Sequence, residues 1–466
     1  MKRRSFGIAA AVLLGCTLFC SACAFRSEGG IIDAERTDPA AENPAETAMH
    51  TVSCFSGEKL LRTEQVSESD TPAELPAFDG ACAILYWETA DGVRVDAEET
   101  PVAEDVAYYA VTGPALKRDE PFFAPGEEGL FHPYDSFTRS DAARAVYTLM
   151  GDKPTGETFL KDVTSRAKCY QAATALVTAG YMELNENDFF YPDVPITPAD
   201  FSRILERLFS AYRVKTVLAS FGETYTRAEA AEIFFRLLES GGTGEGTYYP
   251  DISPEFEYCA AVGAVGLPGL DPAQRPEKGF QNLNGYLYCV GDNGYFLTDT
   301  MVGTLYFDKT GQYTSGDEAL DRCVAELIEA QTDSSMTREQ MLEAVYVYVR
   351  DHYLYLKRNL YELGETGWEI EEALKMFQSG KGNCYNFTAA FWSLARGVGF
   401  DAICYSGLVG EAQDPHSWVE ITFDGTPYIF DVETEMSNRL VYDYEHVMYK
   451  LTYEQGEFWS YTRPEN

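Results

Sequence analysis

Gly380-Lys381-Gly382-Asn383-Cys384-Tyr385-Asn386-Phe387-Thr388-Ala389-Ala390-Phe391-Trp392-Ser393-Leu394-Ala395-Arg396-Gly397 is the stretch that decides the last third of the chain. Phe387, Ala390, Phe391 and Leu394 recur at helical spacing, so the run from Cys384 predicts a buried helix. Gly380 and Gly382 break structure just ahead of it, and Gly397 or Gly399 ends it. Cys384 therefore falls in the first turn, where unpaired amides and the helix dipole favour a thiolate. The backbone N–H of Cys384 is the natural donor for an oxyanion at such a site.

A thiolate nucleophile needs a base, and the base needs a group to orient it. Both lie downstream. His416-Ser417-Trp418-Val419-Glu420-Ile421-Thr422-Phe423 and Thr426-Pro427-Tyr428-Ile429-Phe430-Asp431 read as two strands joined by an Asp424-Gly425 turn. A two-residue turn sets Trp418 opposite Asp431 and His416 opposite position 433. His416 and Asp431 then share a face as diagonal neighbours, within side-chain reach. A three-residue loop would turn Asp431 to the other face. His352, on a predicted helix upstream, is a weaker candidate base, and Tyr353 and Tyr355 are candidate oxyanion groups.

This order of motifs, Gly-x-Cys on a helix, His-x-Trp on a strand and Asp at the next strand, resembles the transglutaminase-like superfamily over about residues 320–435. The resemblance implies an α+β, papain-like fold with the Cys helix packed on an antiparallel sheet. It implies Cys384 as nucleophile, His416 as general base and acid, and Asp431 as the residue that orients His416. The family commonly has Asp-Pro at the third position; here it is Asp431-Val432. The expected activity is acyl transfer from an amide of a protein or peptide substrate. Water as acceptor gives a protease or amidase, and an amine gives a cross-linker. The alternative is a non-catalytic adhesion or scaffold protein whose last domain only binds. No cofactor and no metal site is expected.

Upstream, the chain is modular. From about Phe131 to Gly269 the pattern is helical and repeats. Thr138-Arg139-Ser140-Asp141 and Thr226-Arg227-Ala228-Glu229 each carry capping-box chemistry. Arg139 to Asp162 spans 23 residues and Arg227 to Asp251 spans 24. A third start, Ile196-Thr197-Pro198-Ala199-Asp200, has Pro where the others have Arg. These units resemble S-layer homology repeats, which bind bacterial cell-wall polysaccharide. The resemblance implies Arg139 and Arg227 as glycan contacts, with the middle unit truncated and lacking its ligand residue. Residues 279–317 read as aromatic hairpins that serve as a packing connector. Residues 50–113 read as a small β module. Their Tyr86-Trp87-Glu88-Thr89-Ala90-Asp91-Gly92 stretch resembles an internalin-type B repeat, which implies a β-grasp-like fold.

The expected organisation is a leader over 1–23, a flexible linker over 24–49, the β module over 50–113, repeats over 125–275, hairpins over 279–317 and the transglutaminase-like domain over 318–466. The leader pairs Lys2-Arg3-Arg4 with an apolar run that is too short to span a bilayer with its flanks. It resembles a bacterial lipoprotein signal, with Cys23 the favoured lipidation site and Cys16 the alternative. A lipid-anchored location on the outer face of the membrane or wall follows from that resemblance.

Composition agrees with a folded, extracellular chain. Its 466 residues are 45% hydrophobic, and 74 Asp and Glu against 36 Lys and Arg leave a net charge of -38. Phosphate binding needs clustered cations, so nucleic acid is not an expected partner. Of the eleven cysteines three lie in the leader, and the other eight form no CxxC or Cys/His cluster, which argues against structural zinc. Cys54 and Cys82 are the one pair left open for a disulfide.

Overall fold

Short β-prone runs punctuated by Gly open the folded part of the chain. The computed structural model describes residues 48–73, 75–239, 248–270, 275–442 and 447–464. The expected leader, the candidate lipidation sites Cys16 and Cys23, and nearly all of the linker lie outside the described residues.

Strands β1 (Met49–Ser56) and β2 (Lys59–Ser67) form a hairpin, followed by β3 (Phe78–Asp79), β4 (Cys82–Glu88), β5 (Arg94–Val95) and β6 (Val106–Ala115). The sheet order is β2-β1-β6-β4-β3, with β5 on β4, and β1 lies parallel to β6. Val52, Cys54, Ile84, Trp87 and Tyr108 form the core of this module. Among the described residues from Met49 to Ala115 there is no helix to cover the sheet. Cys54 and Cys82 are both free thiols.

The helical part contains α1 (Arg139–Leu149), α2 (Tyr170–Thr178), α3 (Pro198–Leu205), α4 (Ala211–Leu218), α5 (Arg227–Leu238) and α6 (Cys259–Val265). Thr138 with Asp141 and Thr226 with Glu229 form complete capping boxes. Thr197 caps α3, whose Pro198 takes a first-turn position that needs no N–H donor. The three repeat starts meet one another. The Phe137 amide donates to Tyr225 O at 2.8 Å, and the Ile196 amide donates to Phe137 O at 3.0 Å. Phe201 packs edge-on against Phe137, Tyr225 and Phe234, so the three starts share one aromatic core.

The hairpins are β7 (Gly279–Leu283) with β8 (Tyr286–Val290), and β9 (Thr300–Val302) with β10 (Leu305–Phe307) and β11 (Tyr313–Thr314). They pack rather than project. A Cβ at Gly285 would stand 2.0 Å from the Ala325 carbonyl oxygen, so only glycine lets this turn abut the next helix.

The last part runs α7 (Glu318–Gln331), α8 (Arg338–His352), β12 (Leu354–Tyr355), α9 (Glu369–Ser379), β13 (Lys381–Gly382), α10 (Cys384–Gly397), β14 (Ala402–Val409), β15 (Asp414–Phe423), β16 (Thr426–Phe430), α11 (Val432–Tyr442) and β17 (Leu451–Thr452). Strands β14-β15-β16-β17 make an antiparallel sheet. Helix α10 crosses it and also touches α7, α8, α9 and α11. The one-faced pattern expected of α10 therefore understates its burial. Within the helix only Trp392 and Arg396 escape full burial, because neighbours surround it on every side.

Candidate active site

Three local features fix the start of α10. Gly380 takes a left-handed conformation (φ +68°) at the end of α9. Gly382 comes so close to Asn386 that a Cβ there would lie 2.2 Å from the Asn386 Cβ. Asn383 caps the helix, and its own amide donates to Asn386 Oδ1 at 3.0 Å, a reciprocal box. The Asn386 side-chain Nδ2 also donates to the Glu372 backbone carbonyl at 3.1 Å, which anchors the box to α9. Cys384 follows as the first helical residue, and its N–H belongs to the set that has no partner inside the helix. It is 4% exposed.

The β15–β16 register is the one expected from a two-residue turn: Phe423 pairs with Thr426 and Val419 with Phe430. Asp424 and Gly425 both have positive φ, as a type I′ turn requires. His416 and Asp431 are consequently brought together. Nε2 of His416 donates to Oδ2 of Asp431 at 2.7 Å, and both side chains are buried. Nε2 being engaged, Nδ1 is the nitrogen left to face the thiol, and Cys384 is among the groups whose charge acts on the imidazole. All three residues picked out in the sequence thus form one connected cluster.

Asp431 lies between the end of β16 and the start of α11. Its Oδ1 accepts the Thr434 amide at 3.0 Å, so the carboxylate caps the helix while it holds the imidazole. Helix α11 is itself fixed from behind. Glu435 accepts from Arg350 at 2.8 Å, from the Tyr346 hydroxyl at 3.0 Å and from the Met448 amide at 3.0 Å, all buried. A buried carboxylate with this many donors is satisfied, and it locks α11 to α8.

The electrostatics favour a charged pair. Burial disfavours the imidazolium, but the Asp431 carboxylate and then the Cys384 thiol outweigh it and hold His416 well above its ordinary pKa. Burial likewise opposes the Asp431 charge, yet His416, the Tyr461 hydroxyl and the Thr434 amide together keep its carboxyl below the usual range. Glu433 shifts the other way: burial and the neighbouring Asp431 charge raise it.

The remaining candidates lie elsewhere or in lesser positions. His352 is exposed at the end of α8, stacked on Tyr348 at 4.7 Å. Tyr353 is buried. Tyr355 is half exposed and pairs with Gly382 in the β12–β13 ladder, two residues before Cys384. Thr434, Glu433 and Tyr461 were not singled out from the sequence. An acidic first turn after Asp431 was a usable signal for α11 and hence for Thr434. No local signal marks Tyr461, which reaches the site from 30 residues away.

Arg139 and Arg227, expected to face a glycan, instead face inward. All three guanidinium nitrogens of Arg227 are engaged: Nε with the Phe131 carbonyl at 2.9 Å, one terminal nitrogen with Asp141 at 2.6 Å and the other with the Ala124 carbonyl at 2.7 Å. Arg227 is 5% exposed. Arg139 repeats the arrangement one unit along, with Phe190 O at 2.7 Å, Glu183 O at 2.7 Å and Asp200 at 3.5 Å. Asp162 and Asp251 also correspond: each receives two successive amides, Phe190 and Tyr191 for one, Phe131 and His132 for the other. The repeating motif is therefore a staple between neighbouring units. Pro198 removes the staple from the third junction.

Comparison with known proteins bears on the C-terminal part of the chain. Residues 325–431 match the family model described as the transglutaminase-like superfamily, and Cys384, His416 and Asp431 all fall within the match. A solved structure titled "Crystal structure of a TGase" is 20% identical, covers 24% of this chain and 31% of that chain, and has a TM-score of 0.19. No curated protein matches the chain. Residues 325–431 are a transglutaminase-like domain.

Proposed function

We propose that the chain is a cysteine-dependent acyl-transfer enzyme acting on amide bonds of a protein or peptide. The observation that carries this reading is the buried His416–Asp431 pair at 2.7 Å, with Cys384 at the start of α10 acting on the same imidazole. The Cys384 thiolate attacks the amide carbonyl carbon, and the carbonyl oxygen takes the charge. The Cys384 N–H at the helix start stabilises that oxyanion. His416 then passes the proton on Nδ1 to the leaving nitrogen, the C–N bond breaks, and a thioester remains on Sγ. An acceptor, water or an amine, next attacks the thioester carbon. His416 takes the acceptor's proton, the C–S bond breaks, and the thiolate is restored. Asp431 keeps the imidazole turned throughout and stabilises it in the steps where it is charged, and does not itself exchange a proton.

Digestion of a peptide library, in the presence and absence of a labelled primary amine, tests this. New peptide termini identify a protease or amidase, and incorporated amine identifies a transferase. Neither product from the wild-type chain, or either product undiminished in Cys384→Ala, counts against the reading.

The proposal includes an envelope location, which rests on the sequence of residues 1–23. Metabolic labelling with a fatty-acid analogue should tag the protein, and Cys23→Ala should abolish the tag. A wall-polysaccharide contact by the repeats would have to use groups other than Arg227, whose nitrogens are all engaged internally.

A further inference from the structure

Tyr461 lies outside the transglutaminase-like match, yet it touches the centre of the site. Its hydroxyl donates to Oδ2 of Asp431 at 2.6 Å, the same oxygen that meets His416 Nε2 at 2.7 Å. With Oδ1 taken by the Thr434 amide, the carboxylate is held by three donors from β15, α11 and the C-terminal tail. The tail is itself fixed. Leu408 and Thr462 exchange backbone hydrogen bonds at 3.1 and 2.9 Å, and the Gly410 amide donates to Trp459 O at 2.6 Å. The Tyr461 ring packs edge-on against Trp418 at 5.0 Å. The space at Gly407 is filled by Trp418 and the Thr462 carbonyl, so the tail has a shaped seat on β14.

Trp418 and Asp431 each lie one residue beyond the last ladder pair, Val419 with Phe430, and Tyr461 contacts both. Without a third donor, the Asp431 carboxylate could rotate about its Cα–Cβ and Cβ–Cγ bonds while still meeting one imidazole. We propose that Tyr461 is a positioning residue for this site: its hydroxyl fixes the Asp431 carboxylate and shares its charge, and so sets how tightly Asp431 holds the His416 imidazolium. The groups that face His416 are Asp431, Cys384 from α10, Glu433 from α11, and Tyr461 behind Asp431. Removing the hydroxyl leaves more of the carboxylate's charge for His416, so the imidazolium should hold its proton to higher pH. The consequence for turnover rests on the acyl-transfer reading; the effect on His416 does not.

The test is an imidazole 15N titration of His416 by NMR in the full chain. Tyr461→Phe keeps the ring on Trp418 and removes only the hydroxyl. Its His416 midpoint should move up by about half a pH unit, the size expected for losing one hydrogen bond that competes for the same oxygen. Tyr453→Phe is the control. Tyr453 accepts from Trp418 Nε1 at 3.1 Å and donates to Glu420 at 2.7 Å, without touching Asp431. It should leave the midpoint unmoved. An unmoved midpoint in Tyr461→Phe, or an equal move in both variants, overturns the proposal. In the wild-type chain, the Tyr461 hydroxyl proton should exchange slowly and show a through-space contact to the His416 ring. Absence of that signal overturns the proposal even if the variant does not fold. A moved midpoint with an inert Cys384 keeps Tyr461 as a positioning residue and removes the acyl-transfer reading. A reactive Cys384 with an unmoved midpoint does the reverse.

Discussion

Nε2 of His416 and Oδ2 of Asp431 lie 2.7 Å apart across a hairpin in which neither residue is the other's ladder partner. The diagonal is what makes the contact. Directly opposed side chains stand side by side above the sheet, whereas a diagonal neighbour just past the strand end turns its carboxylate along the face toward the ring. Both groups are buried, so each is the other's main compensation for lost hydration.

Removing the carboxylate should therefore change the pH profile as well as the rate. His416 is held above its ordinary pKa, so turnover should persist into the alkaline range and fall as pH rises through the raised value, where the proton for the leaving amine is lost. Asp431→Asn should move that alkaline limb toward lower pH and cut kcat by on the order of 100-fold. Steady-state kinetics across pH 5–10 with any substrate found by library digestion, roughly the span of the ordinary His and Tyr titrations, checks both.

The same pair should show in stability. Asp431 is depressed, so its contribution is present above the ordinary carboxylate pKa of about 3.9 and is lost as pH falls through the lower folded value. His416 is raised, so its contribution is complete below about 6.5 and is lost as pH rises through the higher folded value. Asp431→Ala should thus be most destabilising at mildly acid pH, by about 3–5 kcal/mol for a broken buried pair. Denaturant melts of both chains at several pH values measure it.

Gly382→Ala should disturb the nucleophile without touching it. The added Cβ would collide with Asn386, which cannot retreat because Asn383 and Glu372 hold it. Overpacking of this kind costs about 1–3 kcal/mol. A melt should show that loss, and alkylation of Cys384 should slow because the start of α10 is displaced.

Arg227→Ala should act on folding. It leaves the Asp141 carboxylate without its 2.6 Å partner and two backbone carbonyls without donors. A loss of about 3 kcal/mol is expected for removing one member of a buried ion pair. Arg139→Ala should cost less, since its partner Asp200 is 3.5 Å away and more exposed. Thermal melts of the two variants rank them.

The site was legible where local rules suffice. The glycines before Cys384 and the Asp424-Gly425 turn carry their conformations in their residue types, and register followed from turn length. Helix α11 was less visible, because Asp431 reads equally as a strand end and as a helix cap. The arginine motif was legible as a repeat start but not in its direction, since its partners belong to the neighbouring unit. Tyr461 was not legible at all: nothing local distinguishes it, and only the tail's seat beside Trp418 brings it to Asp431.

The central claim is that Cys384 is a His-activated nucleophile. The direct measurement is peptide mapping after limiting iodoacetamide at a pH of about 6.5, well under the free-thiol pKa of about 8.5. Burial pushes Cys54 up to about 11 and raises Cys259, Cys289, Cys323 and Cys404 as well, so these thiols should stay unlabelled. The account predicts label on Cys384 alone, falling at least about tenfold in His416→Ala, the low end for losing an ion-paired base. Uniform slow labelling, or the same Cys384 rate in both chains, would contradict it.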